Sequence, residues 1–214
     1  MTAKVFLLAT RSSGKLRELH RIFGEFGLEV TDPGTLGIIE TAEEENLECY
    51  ETFEENALAK ARYFWAKSGL PTFGDDSGLC VDALGGEPGV YSKRWSGRLD
   101  LPPKALDLAN NAKLTARMNE ARAAQGAAFT DSARYVSVAA FKDLAGEELR
   151  RGEIEGRILQ EPRGRGGFGY DPYFEAPDLG GTFAEASIET TARNSHRSRS
   201  FRSLLNALRS AGRL

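Results

Sequence analysis

The sequence predicts an α/β fold in which a mixed β-sheet is flanked by helices. Val5–Ala9 is a short apolar run typical of a buried strand, and an amphipathic helix follows from about Gly14 to Phe26. Residues 134–141 favour a strand, and residues 152–159 are expected to be its antiparallel neighbour. Because strands and helices are mixed without a regular βαβ rhythm, a mixed sheet is favoured over a doubly wound one.

Three further helices have recognisable ends or faces. Thr52 followed by Glu55 forms a capping box, and the helix that it opens is predicted to run to about Ser68, before Gly69. An Ala/Leu-rich helix is expected over 103–124. A last helix, from about Ser195 to Ser210, has its apolar residues on one side: Phe201, Leu204, Leu205 and Leu208. Repeats and long linkers are absent, so we expect a single domain over residues 1–214, with two lobes and a cleft as a variant of that arrangement.

Composition is that of an ordinary globular protein. The chain has 214 residues, a net charge of −3 and no apolar run long enough to span a bilayer. This argues against membrane and nucleic-acid partners. Two cysteines without a disulfide framework, and an apolar N-terminal segment too brief for a signal peptide, indicate the cytoplasm.

Charge is unevenly distributed along the chain. Residues 40–55 contain eight Glu and no Lys or Arg, whereas residues 190–214 contain six Arg and no acidic residue. The first segment could hold a metal ion and the second could hold phosphates. Two solvated helix faces are the alternative interpretation.

Asp75-Asp76-Ser77-Gly78 is the most informative segment. Neighbouring carboxylates in an apolar setting are costly unless a cation compensates them. Only two His and two Cys occur in the chain, which argues against a zinc cage and favours a hard cation, typically Mg²⁺ with a phosphate substrate. The alternative is a polar turn that closes a strand.

A second candidate segment lies between the first strand and the first helix. Backbone N–H groups at a helix N-terminus, hydroxyls, a glycine and a lysine are typical of a phosphate-binding loop. The segment lacks the first glycine of a Walker A loop, and Ser12 or Ser13 could instead be only a helix cap. Its members are Thr10, Arg11, Ser12, Ser13, Gly14 and Lys15.

Three weaker signals remain. Asn56 and Lys60 share one face of the second helix and could reach a phosphate, although a solvated lysine is the default for Lys60. Residues 164–169 match G-x-G-x-x-G, but Pro172 stands where a helix would have to begin, so a tight loop with aromatic residues is predicted instead. Ser195-His196-Arg197 opens the last helix and suits binding to a base or phosphate.

Taken in order, these segments resemble the inosine triphosphate pyrophosphatase family over nearly the whole chain. The resemblance is carried by Leu8-Ala9-Thr10, Thr52-Phe53-Glu54-Glu55-Asn56-Ala57, Asp75-Asp76-Ser77-Gly78-Leu79, Leu84-Gly85-Gly86, Pro88-Gly89-Val90-Tyr91, Gly167-Phe168-Gly169-Tyr170-Asp171-Pro172, Thr182-Phe183-Ala184-Glu185 and Ser195-His196-Arg197.

The resemblance implies hydrolysis of inosine, deoxyinosine and xanthosine triphosphates to the monophosphate and pyrophosphate, with Mg²⁺. It also implies a homodimer and an elongated mixed sheet with a nucleotide cleft between two lobes. Asp76 would be the catalytic carboxylate and a metal ligand, and Glu48, or else Glu45 or Glu51, the second ligand. The other implied site residues are Asp75 beside Asp76, Ser77 at the substrate, Thr10 to Lys15 with Asn56 and Lys60 at the phosphates, and Phe168, Gly169, Tyr170, Asp171, His196 and Arg197 at the base.

Two departures from the family pattern affect this expectation. Ser12 replaces a usual Asn, and Thr191 replaces a usual Lys that helps to recognise the base, a role for which Arg193 is the nearest substitute. Two alternatives therefore stay open: a related pyrophosphatase that acts on modified pyrimidine nucleotides, and a nucleotide-binding regulator without catalysis.

Overall fold

The computed structural model describes residues 4–214, apart from the side chain of Glu45. Within those residues, seven strands form one sheet in the order β2-β1-β3-β4-β5-β6-β7. Their bounds are β1 Val5–Leu8, β2 Glu29–Thr31, β3 Thr72–Val81, β4 Ser132–Asp143, β5 Gly146–Ile158, β6 Phe174–Ala176 and β7 Gly181–Thr182. Strand β1 pairs in parallel with β2 and β3, whereas β6 pairs antiparallel with β5 and β7. The predicted mixed α/β sheet is confirmed.

The helices in the described part of the chain are α1 Ser13–Glu25, α2 Ala42–Glu45, α3 Phe53–Ser68, α4 Pro103–Gln125, α5 Ile188–Asn194 and α6 His196–Ser210. Thr52 caps α3, because its hydroxyl accepts a 3.2 Å hydrogen bond from the backbone N–H of Glu55. Gly69, with φ +70°, ends α3 in the left-handed conformation that glycine adopts without strain. Among residues 4–214, every helix is too short or too polar to cross a bilayer.

The chain divides by its internal contacts into two compact units, so the expected single domain over 1–214 stays a prediction. Within the described residues, the first unit consists of residues 4–76, 137–152 and 195–214. Its largest apolar cluster joins α1, α6 and the sheet, with Phe6, Leu8, Phe23, Phe73, Phe141, Phe201 and Leu205 among its members. Four phenylalanine rings in this cluster contact the ring of Phe73 at centroid distances of 4.6–6.3 Å. Strand β3 is therefore held against both helices.

The second unit consists of residues 77–136 and 153–194. Its apolar cluster lies between α4 and the remaining strands, and includes Leu79, Val81, Leu114, Met118, Tyr135, Phe174 and Phe183. Tyr135 packs edge-on against Phe174 and Phe183, with centroids 4.7 and 5.1 Å apart. Side chains from α4, β4 and β6 thus share one interior.

The segment Asp75–Gly78 is not the polar turn that was its alternative interpretation. Strand β3 continues to Val81 and contains both aspartates. Ten consecutive residues of β3 are buried or nearly so, because the strand lies inside the sheet. Aspartate is uncommon in strands, but here buried partners satisfy both carboxyl groups within the strand.

Candidate active site

Asp75 and Asp76 occupy neighbouring positions in β3, where successive side chains point to opposite faces of the sheet. Phe73 precedes Asp75 on the face that packs against α1 and α6. Gly74 precedes Asp76 on the face that packs against α3, so closely that a Cβ on Gly74 would lie 2.2 Å from the carbonyl oxygen of Ala57. Only glycine allows α3 to approach β3 at this point.

Asp75 is surrounded by cations. Its Oδ2 lies 2.7 Å from Nζ of Lys15 and 3.3 Å from Nε of Arg197, and its Oδ1 accepts a 2.9 Å hydrogen bond from the hydroxyl of Ser137. Burial opposes ionisation of this carboxyl, but the charges of Lys15, Arg197 and Lys60 outweigh it and hold the pKa of Asp75 well below its usual range. Asp75 is consequently ionised at neutral pH.

Arg197 is held on its other side by Glu18, a residue that the sequence analysis missed. The guanidinium Nη1 lies 2.5 Å from Oε2 of Glu18, and the hydroxyl of Ser195 donates to the same carboxylate. Ser195 also caps α6, since its Oγ accepts a 3.0 Å hydrogen bond from the backbone N–H of Ser198. Glu18 lies three positions after Lys15 on α1, and this helical spacing was the signal that could have placed it beside the site.

Asp76 has a different environment. Its Oδ2 accepts a 3.0 Å hydrogen bond from Nδ2 of Asn56, and its Oδ1 lies 3.6 Å from Nζ of Lys60. Burial raises the pKa of Asp76 above its usual range, and the negative charge of Glu48 adds to this shift; Lys60, Lys15 and Asn56 oppose it without cancelling it. The pKa values of the two adjacent carboxyl groups are therefore shifted in opposite directions from the same ordinary value.

Lys60 connects Asp76 to the acidic segment. Its ammonium is 2.7 Å from Oε1 of Glu48, and the residue is only 8% exposed, so the default expectation of a solvated lysine is wrong. The carboxylates of Glu48, Asp76 and Asp75 raise the pKa of Lys60 despite its burial. Glu51, an alternative metal ligand from the sequence, is exposed, and the side chain of Glu45 lies outside the described residues.

The first loop is built around the start of α1. Ser12 is its N-cap: Oγ accepts a 3.4 Å hydrogen bond from the N–H of Lys15, and the N–H of Ser12 donates to Oγ1 of Thr10 over 3.2 Å. Ser13 and Gly14 form the first turn of the helix. Burial, with Lys60 and Arg197 nearby, lowers the pKa of Lys15 although Asp75 opposes the shift.

Arg11, which was predicted to bind phosphate, forms an ion pair with Glu44. Its Nε and Nη2 lie 2.7 and 2.8 Å from the two carboxylate oxygens of Glu44, and Nη2 also donates to the carbonyl of Ile38 over 3.0 Å. Glu44 belongs to the acidic segment, and Ile38 lies just before it. In this structure, Arg11 ties the first loop to the chain that leads to Glu48.

His196 is the first residue of α6 and is 6% exposed. Burial and the neighbouring charge of Arg197 lower its pKa well below the ordinary value, so the imidazole is neutral at physiological pH. It can therefore contribute hydrogen bonds to the cluster but no positive charge.

The remaining predicted residues belong to the second unit. The loop Phe168–Asp171 exposes the ring of Phe168, which is 43% accessible, and buries Tyr170 and Asp171. Ser77 continues β3 and is half-buried, while Thr191 lies in α5 and its hydroxyl donates to the carbonyl of Ser187. The first unit thus brings together Lys15, Glu48, Asn56, Lys60, Asp75, Asp76, His196 and Arg197, and the second unit contains the aromatic loop.

Comparison with known proteins gives consistent matches along the chain. The model of the Ham1 family matches residues 6–207. A dITP/XTP pyrophosphatase of Symbiobacterium thermophilum is 44% identical over 211 residues, covering 97% of this chain and 96% of the relative, and one of Thermus thermophilus is 43% identical, covering 94% and 90%. The solved structure of a HAM1 protein from Coxiella burnetii aligns with a TM-score of 0.80 and 30% identity, covering 97% of this chain and 99% of that protein.

Proposed function

Because the chain belongs to the Ham1 family, we propose that it hydrolyses non-standard purine nucleoside triphosphates to the monophosphate and pyrophosphate. The substrates would be the triphosphates of inosine, deoxyinosine and xanthosine, which the reaction removes from the nucleotide pool. The observation that carries this proposal is the buried carboxylate of Asp76, with its raised pKa, beside lysines that can receive phosphate oxygens. The relatives are dITP/XTP pyrophosphatases, which supports the same chemistry.

Asp76 is the proposed general base. A carboxylate whose pKa is raised accepts a proton more readily than an ordinary one, so it can orient or deprotonate the water that attacks the α-phosphorus. Asn56 donates to one oxygen of Asp76 and fixes the direction of the other. Attack at the α-phosphorus, with pyrophosphate as the leaving group, accounts for the expected products.

Magnesium is the proposed cofactor, and the donor set fits it. Glu48 and Asp76 present two carboxylates, and the positively charged ammonium of Lys60 contacts both of them in place of a metal ion. Within the described residues, no three His, Cys, Asp or Glu side chains gather into a complete protein cage. This agrees with Mg²⁺, which is commonly bound by one or two carboxylates together with substrate phosphates and water. When bound, the ion would neutralise the negative charge that develops on the leaving pyrophosphate.

Lys15 and Lys60 are the proposed phosphate ligands. Lys15 is already paired with Asp75, so this cation is held in place before the substrate arrives. Preorganised cations stabilise a transition state without a reorganisation cost. Asp75 would be the fixed counter-charge that keeps Lys15 and Arg197 in position.

The family resemblance is the ground on which we propose the loop Phe168–Asp171, and separately His196 and Arg197, as base-binding residues. A neutral imidazole and an arginine can donate to the 6-keto group of the altered purines, and these donors would be left unpaired by the 6-amino group of adenine. An unpaired buried polar group costs about 1–3 kcal/mol, which is enough for strong discrimination when more than one contact is lost. Whether Thr191 weakens this recognition stays a prediction.

A panel of nucleotides with product identification tests the proposal. The triphosphates of inosine, deoxyinosine, xanthosine, adenosine, guanosine and deoxyuridine are each incubated with the protein and Mg²⁺. We expect monophosphate and pyrophosphate from the first three substrates. Preference for the pyrimidine, release of phosphate and diphosphate, or tight binding without any release would each reject it.

Two further parts of the proposal concern assembly and location. The family resemblance implies a homodimer, which the sedimentation of the purified protein would test. A nucleotide-pool enzyme is expected in the cytoplasm, and fractionation of the cells that produce it would check that expectation.

A further inference from the structure

Helix α4 holds the backbone of the aromatic loop at one glycine. Oδ2 of Asp107 accepts a 3.0 Å hydrogen bond from the N–H of Gly169, and Nδ2 of Asn111 donates over 2.9 Å to the carbonyl of the same glycine. Asp107 and Asn111 are four residues apart on α4, so they lie on one face of the helix. Both polar groups of a single loop residue are therefore bound by one helix.

Gly169 needs such external support. It adopts φ +62°, and a glycine has more backbone conformations available than any other residue. The neighbouring positions are anchored separately: Asp171 accepts from the N–H of Phe168 over 2.8 Å, and the hydroxyl of Tyr170 donates to the carbonyl of Ser92 over 2.8 Å. The carbonyl of Phe168 also accepts a 3.3 Å hydrogen bond from the N–H of Asp171, so the two α4 contacts add the restraint on the N–H and carbonyl of Gly169 itself.

These anchors leave one side chain of the loop exposed. Tyr170 is 3% and Asp171 7% exposed, whereas Phe168 is 43% exposed. The peptide that joins Phe168 to Gly169 helps to set the direction in which the Phe168 side chain leaves the backbone. An aromatic ring fixed in this way can stack against a planar base.

Asn111 has a second property that distinguishes it from an ordinary structural residue. It is 93% buried by its accessible surface, yet its Oδ1 has no hydrogen-bond partner within residues 4–214. An unpaired buried acceptor costs stability. Rotating the amide by 180° would place that oxygen against the carbonyl of Gly169, so the contact with the loop fixes the unfavourable orientation.

We infer that Asp107 and Asn111 are positioning residues for purine selectivity. They hold Gly169 so that the exposed ring of Phe168 meets the base in one orientation. This inference rests on the proposed function, because it takes the loop to be the base-binding element. It assigns α4 a role in recognition that neither its sequence nor the proposed catalytic cluster indicated.

Substitutions on α4 test the inference with matched controls. Asn111→Leu removes the donor to Gly169 together with the unpaired acceptor, and Asn111→Ala serves if the larger side chain prevents folding. Asp107→Ala removes the acceptor, whereas Asp107→Asn keeps an oxygen that can accept from the N–H of Gly169. Asn119→Leu makes the same change at an exposed position of the same helix.

The measurements separate positioning from general stability. For Asn111→Leu and Asp107→Ala we expect a KM for inosine triphosphate raised about tenfold with kcat little changed, which is the effect of losing one positioned hydrogen bond. The preference for inosine over adenosine triphosphate should fall as well, because a base held in another orientation loses its contact at the 6-keto group. Deuterium exchange of residues 168–171 should become faster in both variants. The melting temperature of Asn111→Leu should not fall, and Asp107→Asn and Asn119→Leu should behave as the wild type.

The outcomes of the experiment are distinct. If the wild type hydrolyses inosine triphosphate and the two variants keep its KM, its selectivity and its exchange rates, the inference is wrong and the proposed function stands. A fall in kcat and melting temperature at unchanged KM would also reject it, since that result indicates a purely structural role. If the wild type does not cleave the altered purines, both proposals are rejected together.

Discussion

Asp75 and Asp76 are consecutive in the chain but lie on opposite faces of β3. Asp75 meets Lys15 and Arg197 on the side of α1 and α6, and Asp76 meets Asn56 and Lys60 on the side of α3. This separation lets one carboxylate have a lowered pKa while its neighbour has a raised one. Titratable groups whose environments move their pKa values apart are typical of sites that divide chemical roles.

The first prediction contrasts the two aspartates by amide substitution. Asp76→Asn should reduce turnover by orders of magnitude while unfolding free energy changes by less than about 1 kcal/mol, because the buried charge that it removes is disfavoured. Asp75→Asn should destabilise the protein by about 3–5 kcal/mol, because it leaves Lys15 and Arg197 buried beside an uncharged group. Urea unfolding and pyrophosphate release measure the two effects. Equal loss of stability in both variants would contradict the assignment.

The second prediction concerns pH in the absence of metal. The lowered pKa of Asp75 means that its stabilising contribution is present above the unfolded value of 3.8 and is lost as pH falls below it. The raised pKa of Asp76 acts in the opposite sense: its contribution is present below 3.8 and is lost as pH rises through the folded-state value. The stability difference between wild type and Asp75→Asn should thus shrink on acidification, whereas wild type should lose stability relative to Asp76→Asn as pH rises. Unfolding in EDTA at a series of pH values checks both trends.

Much of this arrangement was accessible from the sequence, and the failures have a physical cause. The cap at Thr52, the end at Gly69 and the apolar face of α6 are local signals, and the structure confirms them. The continuation of β3 through Asp75 and Asp76 was missed, because those residues favour turns unless distant partners satisfy them. The partners come from positions 15, 56, 60, 137 and 197, and local periodicity contains no information about such contacts.

The third prediction tests Lys60 as the cation that bridges two carboxylates in the metal-free protein. Lys60→Met should lower the melting temperature in EDTA, because Glu48 and Asp76 then repel each other without compensation. Mg²⁺ should restore the lost stability and produce a larger upward shift than in the wild type, at about 2–4 °C per kcal/mol for a chain of this size. Lys67→Met, at an exposed position of the same helix, is the control. Equal shifts in all three proteins would exclude Glu48 and Asp76 as joint ligands.

The fourth prediction concerns the close approach of α3 to β3. A Cβ at position 74 would lie 2.2 Å from the carbonyl of Ala57 and 3.2 Å from Cβ of Ala61, so Gly74→Ala must displace the helix that carries Asn56 and Lys60. We expect a loss of about 1–3 kcal/mol in unfolding free energy and a fall in activity larger than unfolding explains. Gly24→Ala, in α1 with no atom within 4 Å of the added carbon, should instead stabilise by up to about 1 kcal/mol. Thermal unfolding and kcat of both variants provide the comparison.

The fifth prediction compares two ion pairs that join α1 to α6. Glu18 binds Arg197 where both side chains are at least 88% buried, and Glu25 binds Arg202 where they are 42% and 29% exposed. Removing a buried partner leaves a charge without compensation, whereas an exposed pair contributes about 0–1 kcal/mol. Glu18→Leu should therefore cost about 2–4 kcal/mol of unfolding free energy, because the retained contact of Arg197 with Asp75 limits the loss. Glu25→Leu should be close to neutral.

Because Arg197 is a proposed base ligand, Glu18→Leu should also raise the KM for inosine triphosphate. Glu18→Gln keeps an oxygen that can accept from Arg197, so it should restore part of the lost affinity. Unchanged kinetics in a folded Glu18→Leu protein would mean that Asp75 alone is sufficient to position Arg197.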